Sequence, residues 1–208
     1  MDFVDQYFDE LSAYREEDCL FINFDESSLC FDLSKDKTLD KKGANQVKII
    51  THTNEKETCT IATGITSDGE TLITLIIFKY KHTGTKKTKR EYPKKYEAWT
   101  KITAPCMTRF SGSGFNNTKI MAEWISALNR NLKLKNEERK VVLLLDSAAC
   151  HKGTEIDKAI EGTQISIVYI PGGCTSFLQP LDTSVNKYWK ATNINFLRVI
   201  INTIMSLS

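Results

Sequence analysis

At 208 residues and +2 net charge, with 41% hydrophobic content, the chain is one ordinary domain long and is neither disordered nor fibrous. No run approaches the roughly 18 consecutive apolar residues of a membrane span. The acidic start Met1-Asp2-Phe3-Val4-Asp5 lacks the positive segment of a signal peptide, so a soluble, intracellular chain with no membrane partner is expected.

The first forty residues hold 12 acids against Arg15, Lys35 and Lys37, a net of −9, and the remaining 168 carry +11. A basic body of this kind points to polyanionic partners. The six cysteines, at 19, 30, 59, 106, 150 and 174, form no CxxC pair and no tight cluster, so reduced, packed thiols are expected. Cys150-His151 offers two metal donors side by side, but neighbours seldom converge on one ion without further ligands.

In chain order, Phe3, Val4, Tyr7, Phe8 and Leu11 fall at helical spacing, which predicts a short amphipathic helix over residues 2–11. Residues 19–24 read as a buried strand ending at Asp25, and 29–33 as its hairpin partner or an irregular return. Three more strand-like runs follow at 47–51, 59–66 and 71–80, the last two joined by a turn containing Asp68-Gly69, a hairpin signal. Residues 81–115 are rich in charge and turn formers and read as a long connection or insertion.

From Asn117, Ile120, Met121, Trp124, Ile125 and Leu128 mark one helical face. The apolar run 141–145 has the pattern of a central strand covered on both sides. A short helix (155–161), a second buried strand (165–170) closed by Pro171-Gly172-Gly173, and a helix from about Pro180 complete the order. Hairpin-connected strands followed by alternating helices and strands predict an α/β domain with a mixed sheet and helices on its faces.

Three aspartates stand at ends of these elements: Asp25 after the first strand, Asp146 after the central strand, and Asp182 at the opening of the last helix. Strand ends of an open α/β sheet are where loops meet and ligands bind. Clustered carboxylates repel unless they share a cation, and hard ions such as Mg²⁺ take oxygen ligands while keeping waters. Two such ions activate a water and stabilise the leaving oxygen of a phosphodiester. Each acid also has a plainer reading, Asp25 as a turn residue, Asp146 as a helix cap and Asp182 as a complement to a helix dipole.

The wording around the acids narrows the choice. Asn23-Phe24-Asp25-Glu26-Ser27, the run from Leu143 to His151 (LLLDSAACH) and the string from Ile170 to Asp182 (IPGGCTSFLQPLD) resemble the DDE superfamily endonuclease domain. The similarity is to transposases of the pogo, Tigger and jerky group of the mariner superfamily, related to centromere protein B, and runs from about residue 20 to 190. The resemblance implies a ribonuclease H-like fold, an antiparallel three-strand start then parallel strands, with residues 1–19 as an acidic helix or tail and 20–208 as the catalytic domain. It also implies that Asp25, Asp146 and Asp182 bind two Mg²⁺ or Mn²⁺ ions, with no small-molecule cofactor. The reaction would be hydrolysis of a DNA phosphodiester followed by attack of the freed 3′-hydroxyl on target DNA. DNA is the implied partner and the nucleus the implied compartment, and a homodimer is left open.

His151, five residues after Asp146, either touches DNA, orients the loop or is simply structural. Lys79, Lys81, Lys86, Lys87, Lys89, Arg90, Lys94 and Lys95, interleaved with Tyr80 and Tyr92, suit neutralisation of phosphates, or form a solvated loop. The family's helix-turn-helix recognition module has no room before Asn23, and the last helix is expected to be truncated. Two readings therefore stand: a metal-dependent endonuclease and strand-transfer domain, or a domesticated, catalytically silent module that binds nucleic acid or protein.

Overall fold

The computed structural model describes residues 3–15, 17–30, 58–79 and 106–181. They run α1 (Phe3–Ser12), β1 (Cys19–Cys30), β2 (Thr58–Thr66), β3 (Thr74–Lys79), β4 (Cys106–Ser111), α2 (Thr118–Leu134), β5 (Lys140–Asp146), a 3-10 turn (Ala149–His151), α3 (Thr154–Ile160), β6 (Ile165–Ile170) and α4 (Thr175–Leu178). The sheet order is β4-β3-β2-β1-β5-β6. β2 pairs antiparallel with β1 and β3, whereas β1–β5, β5–β6 and β3–β4 are parallel. Among the described strands only β2 runs against the rest, so the C-terminal ends of the other five share one edge of the sheet.

Side-chain alternation divides the core into two faces. On one, Leu20, Ile22 and Phe24 of β1 and Val141, Leu143 and Leu145 of β5 pack with Trp124 and Leu128 of α2 and Ile156 of α3. On the other, Cys19, Val142, Leu144, Val168 and Ile170 pack with Tyr7 of α1, and Cys174 and Leu178 lie against them. Helices thus cover both faces, as the sequence pattern predicts.

α2 forms where the apolar spacing places it. Asn117 caps its first turn by accepting from the Ile120 amide at 3.0 Å, worth about 1 kcal/mol. Trp124, fully buried, lies 4.2 Å from the Phe24 ring and donates from Nε1 to the Ile73 carbonyl at 2.8 Å. Each such large apolar side chain contributes roughly 1.5–3 kcal/mol by burial. The β2–β3 connection turns at Gly69, whose φ of 84° is open to glycine, and the Thr66 amide and carbonyl bond Glu70 and Gly69 at 2.9 Å each.

Two strands differ from the sequence pattern. β1 does not end at Asp25 but continues to Cys30, paired with β2 from Ile22↔Thr66 to Cys30↔Thr58. β5 reaches along β1 only to Asn23↔Leu144. Past that point β1 has, among the described residues, a partner on one side only, so polar Glu26 and Ser28 fit, and the backbone ladder rather than apolar burial extends the strand. β4 lies inside the 81–115 stretch read as a connection. Its mixed Cys-Met-Thr-Arg-Phe-Ser sequence suits a strand paired on one side, with Arg109 turned to Glu123 at 2.6 Å. The strand expected at 47–51 and residues 31–33 lie outside the described residues, as does all but the start of the helix expected from Pro180.

Candidate active site

Asp25 sits mid-strand in β1, half-buried and opposite Thr63 of β2. Asp146 is the last residue of β5. The β1–β5 register ends at Asn23↔Leu144, two residues before each of these acids. By alternation, Asp25 belongs with Cys19 and Phe21, and Asp146 with Val142 and Leu144, on the face packed by α1.

The segment after β6 crosses the same face. Gly173, at φ 81°, turns the chain after Pro171. Buried Gln179 then donates from Nε2 to the Phe24 carbonyl at 3.2 Å, and the Leu181 amide donates to Asn23 Oδ1 at 2.9 Å. Asn23 in turn donates to the Leu144 carbonyl at 3.5 Å. One buried asparagine so ties β1, β5 and the chain just before Asp182. Gln179 Oε1 is buried with no partner among the described residues, and a buried acceptor of that kind calls for a donor such as water. Asp182 itself lies outside the described residues.

The loop after β5 is organised around His151, which is 2% exposed. Its Nδ1 lies 2.6 Å from Asp146 Oδ1 and its Nε2 3.2 Å from Glu26 Oε1. The Ala148 amide also donates to Asp146 Oδ1, at 3.1 Å, so both bonds fall on one carboxylate oxygen. Tyr169 donates to the His151 carbonyl at 2.9 Å, and Ser147 to the Ile170 carbonyl at 2.9 Å, which fix the loop to β6. The bond from His151 holds the Asp146 carboxyl below the usual range. Burial opposes a charge on His151, but bonds to Asp146, Cys150 and Glu26 outweigh it and push its pKa up to about 12.

An open cleft of about 560 Å³ adjoins Asp146, lined by Tyr7, Ser147, Lys152, Tyr169, Gly172 and Cys174. Lys152 Nζ stands 5.0 Å from the Tyr169 ring centre. A smaller groove of about 420 Å³ runs between α2 and α3, away from the aspartates.

Of the basic segment, Lys79 is described, exposed at the end of β3 on the edge of the sheet where β5 also ends. Lys81, Lys86, Lys87, Lys89, Arg90, Lys94 and Lys95 lie outside the described residues. Sequence reasoning passed over Asn23, Glu26, Asn116 and Gln179. Glu26 and His151 meet across 125 residues, a pairing with no local signal, although both belong to strings that carried the resemblance.

A mixed sheet with one reversed strand among those described, and Asp146 at the edge where the others end, has the ribonuclease H-like architecture. The fold is like that of the Mos1 transposase in its paired-end complex with the left transposon end. The TM-score is 0.57 at 12% identity, covering 91% of this chain and 46% of that one. The chain belongs to the DDE superfamily endonucleases, whose family model matches residues 56–206. The proteins called "Pogo transposable element with KRAB domain" in mouse and in human are each 27% identical over 165 residues, 79% of this chain. Those residues make up 25% of each relative, so the chain spans about a quarter of the length of the curated relatives it matches. The chain thus carries a DDE superfamily endonuclease domain, and membership of that family implies use of divalent metal.

Proposed function

We propose that Asp25, Asp146 and Asp182 bind two Mg²⁺ or Mn²⁺ ions and that the domain hydrolyses and transfers DNA phosphodiesters. The observation that carries the reading is the shared face of β1 and β5. The paired Asn23 and Leu144 stand two residues before Asp25 and Asp146 there, and Leu181, the residue before Asp182, is bonded to Asn23. The donors suit the ions: carboxylate oxygens are what hard divalent cations take. The partnerless Gln179 Oε1 in the same place fits a site that holds ordered water.

Bound ions would supply charge neutralisation at the transferring phosphoryl group. The residues do the positioning. His151 fixes Asp146 through Oδ1 and keeps it ionised, so the carboxylate is pre-set rather than mobile. Asn23 and Gln179 hold the approach of the third acid. Lys152 and Tyr169 in the adjoining cleft offer a cation and a ring face to a DNA strand, and Lys79 with the basic segment after it neutralises phosphates at the same edge. The mouse and human relatives are transposable-element proteins and the solved neighbour is a complex with a transposon end, which supports DNA as the partner. The nucleus is the compartment this reading implies.

A second reading has one observation in its favour. Asp146 Oδ1 is already engaged by His151 and Ala148, which suits a silent module that only holds DNA. Nicking of supercoiled plasmid separates the two. Catalysis predicts nicking that needs Mg²⁺ or Mn²⁺ and disappears in Asp25→Asn, Asp146→Asn and Asp182→Asn while DNA binding remains. Binding without cleavage under any metal selects the silent module, and nicking in chelator overturns the metal chemistry.

A further inference from the structure

Glu26, Cys150 and His151 form a second set of donors, different in kind from the aspartates. Alternation along β1 turns Glu26 to the α2 face, opposite to Asp25, where Asn116 Nδ2 donates to its Oε1. The 3-10 turn Ala149–His151 brings the neighbouring Cys150 and His151 up to it. A carboxylate oxygen of Glu26, Cys150 Sγ and a ring nitrogen of His151 all lie within 4.8 Å of one another. Adjacent cysteine and histidine need an outside ligand to make a site, and the fold supplies Glu26.

The surroundings are those of a built site. Asp146 holds His151 Nδ1 at 2.6 Å, leaving Nε2 to point at Glu26 Oε1 3.2 Å away. A carboxylate on the far ring nitrogen is the outer partner that orients metal-bound histidines and raises their basicity. Asn116 gives Glu26 the same support. His151 is 2% exposed, with its ring edge-on to Phe24 at 6.1 Å, so it is held in place before any ligand arrives.

We propose that Glu26, Cys150 and His151 bind Zn²⁺ or a like borderline divalent ion. Mixed sulfur, nitrogen and oxygen donors are wrong for Mg²⁺ and right for zinc. Bonds of about 2.0–2.3 Å at tetrahedral angles put zinc ligands roughly 3.5 Å apart, so donors within 4.8 Å of one another close by roughly 1.3 Å at most. Three protein ligands leave a fourth position open to water. Binding displaces the protons on the thiol and on Nε2 into solvent.

Cobalt(II) is the probe, titrated into the full chain in a non-thiol reductant. One equivalent gives a thiolate-to-cobalt charge-transfer band in the near ultraviolet, which Zn²⁺ removes and excess Mg²⁺ does not. Cys150→Ser abolishes the band, whereas Cys174→Ser, whose thiol lies on the opposite face of the sheet, keeps it. Asn116→Ala weakens cobalt binding by about 10- to 100-fold, as loss of an outer partner does. In the unmutated chain Zn²⁺, and not Mg²⁺, protects Cys150 from alkylation read by mass spectrometry. The site does not depend on the nuclease reading, since Asp25→Ala leaves the band in place. No band, a band that survives Cys150→Ser, or unprotected Cys150 overturns the proposal.

Discussion

Asn23 is the residue whose loss most directly probes how the fold anchors the segment that ends at Leu181. It is 4% exposed and works in two directions, accepting the Leu181 amide at 2.9 Å and donating to the Leu144 carbonyl at 3.5 Å. Asn23→Ala removes both partners. The shorter bond dominates, because Leu181 is fully buried and its amide is left without an acceptor. A buried donor so stranded costs roughly 1–3 kcal/mol, and each kcal/mol lowers the melting temperature of a domain this size by about 2–4 °C. Urea unfolding of the variant should show a lower midpoint with an unchanged slope. Ser28→Ala, exposed on the same strand, serves as control and should stay within about 0.5 kcal/mol of the parent. Metal-dependent nicking by Asn23→Ala, measured where both proteins remain fully folded, should fall further than its stability loss explains. A loss under about 0.5 kcal/mol with nicking intact would refute the idea that Asn23 anchors the segment.

Trp124→Ala, which empties a fully buried site against Phe24, should cost about 3–5 kcal/mol in chemical unfolding. Trp124→Phe keeps most of the ring but leaves the Ile73 carbonyl without its donor, and should cost about 1–3 kcal/mol. On the far side of the sheet, the bond from Arg139 holds the Glu137 pKa at about 2 against an ordinary 4.5, and Asp68 on the same guanidinium is also lowered. A carboxylate whose folded pKa is depressed stabilises the fold fully above its unfolded value. That contribution disappears as pH falls through the folded value. The melting temperature of the parent should therefore drop between about pH 4.5 and 2, and Glu137→Gln should make that drop shallower.

The parts of the fold legible in the sequence are those where local pattern and tertiary role coincide. The run Val141 to Leu145 is apolar at every position because β5 is covered on both faces, and the α2 stripe reads as a helix because that stripe is what the sheet buries. Asp68-Gly69 announces its turn because only glycine meets the φ there freely. The far half of β1 carries no such signal, since residues 25–28 are polar and the strand there depends on its ladder with β2. β4 is hidden for the same reason, and nothing in its six residues says that it runs parallel to β3.

At the site, the resemblance supplied the three acids, while spacing alone left each with a plainer reading. The polar residues around Asp25 and Asp146 were not legible. Asn23 reads as one polar residue in an apolar strand until its partners, 121 and 158 residues away, are seen. Glu26 follows a candidate ligand by one position and so points to the opposite face, where it meets His151.

Calorimetric titration of Mn²⁺ into the parent chain, beside Asp25→Ala, Asp146→Ala and Cys150→Ser, tests the central claim most directly. The account predicts binding by the parent and by Cys150→Ser, and loss of that binding in both aspartate variants. Mn²⁺ binding that persists unchanged in Asp25→Ala, or that is lost only in Cys150→Ser, would contradict a catalytic ion site built on the aspartates.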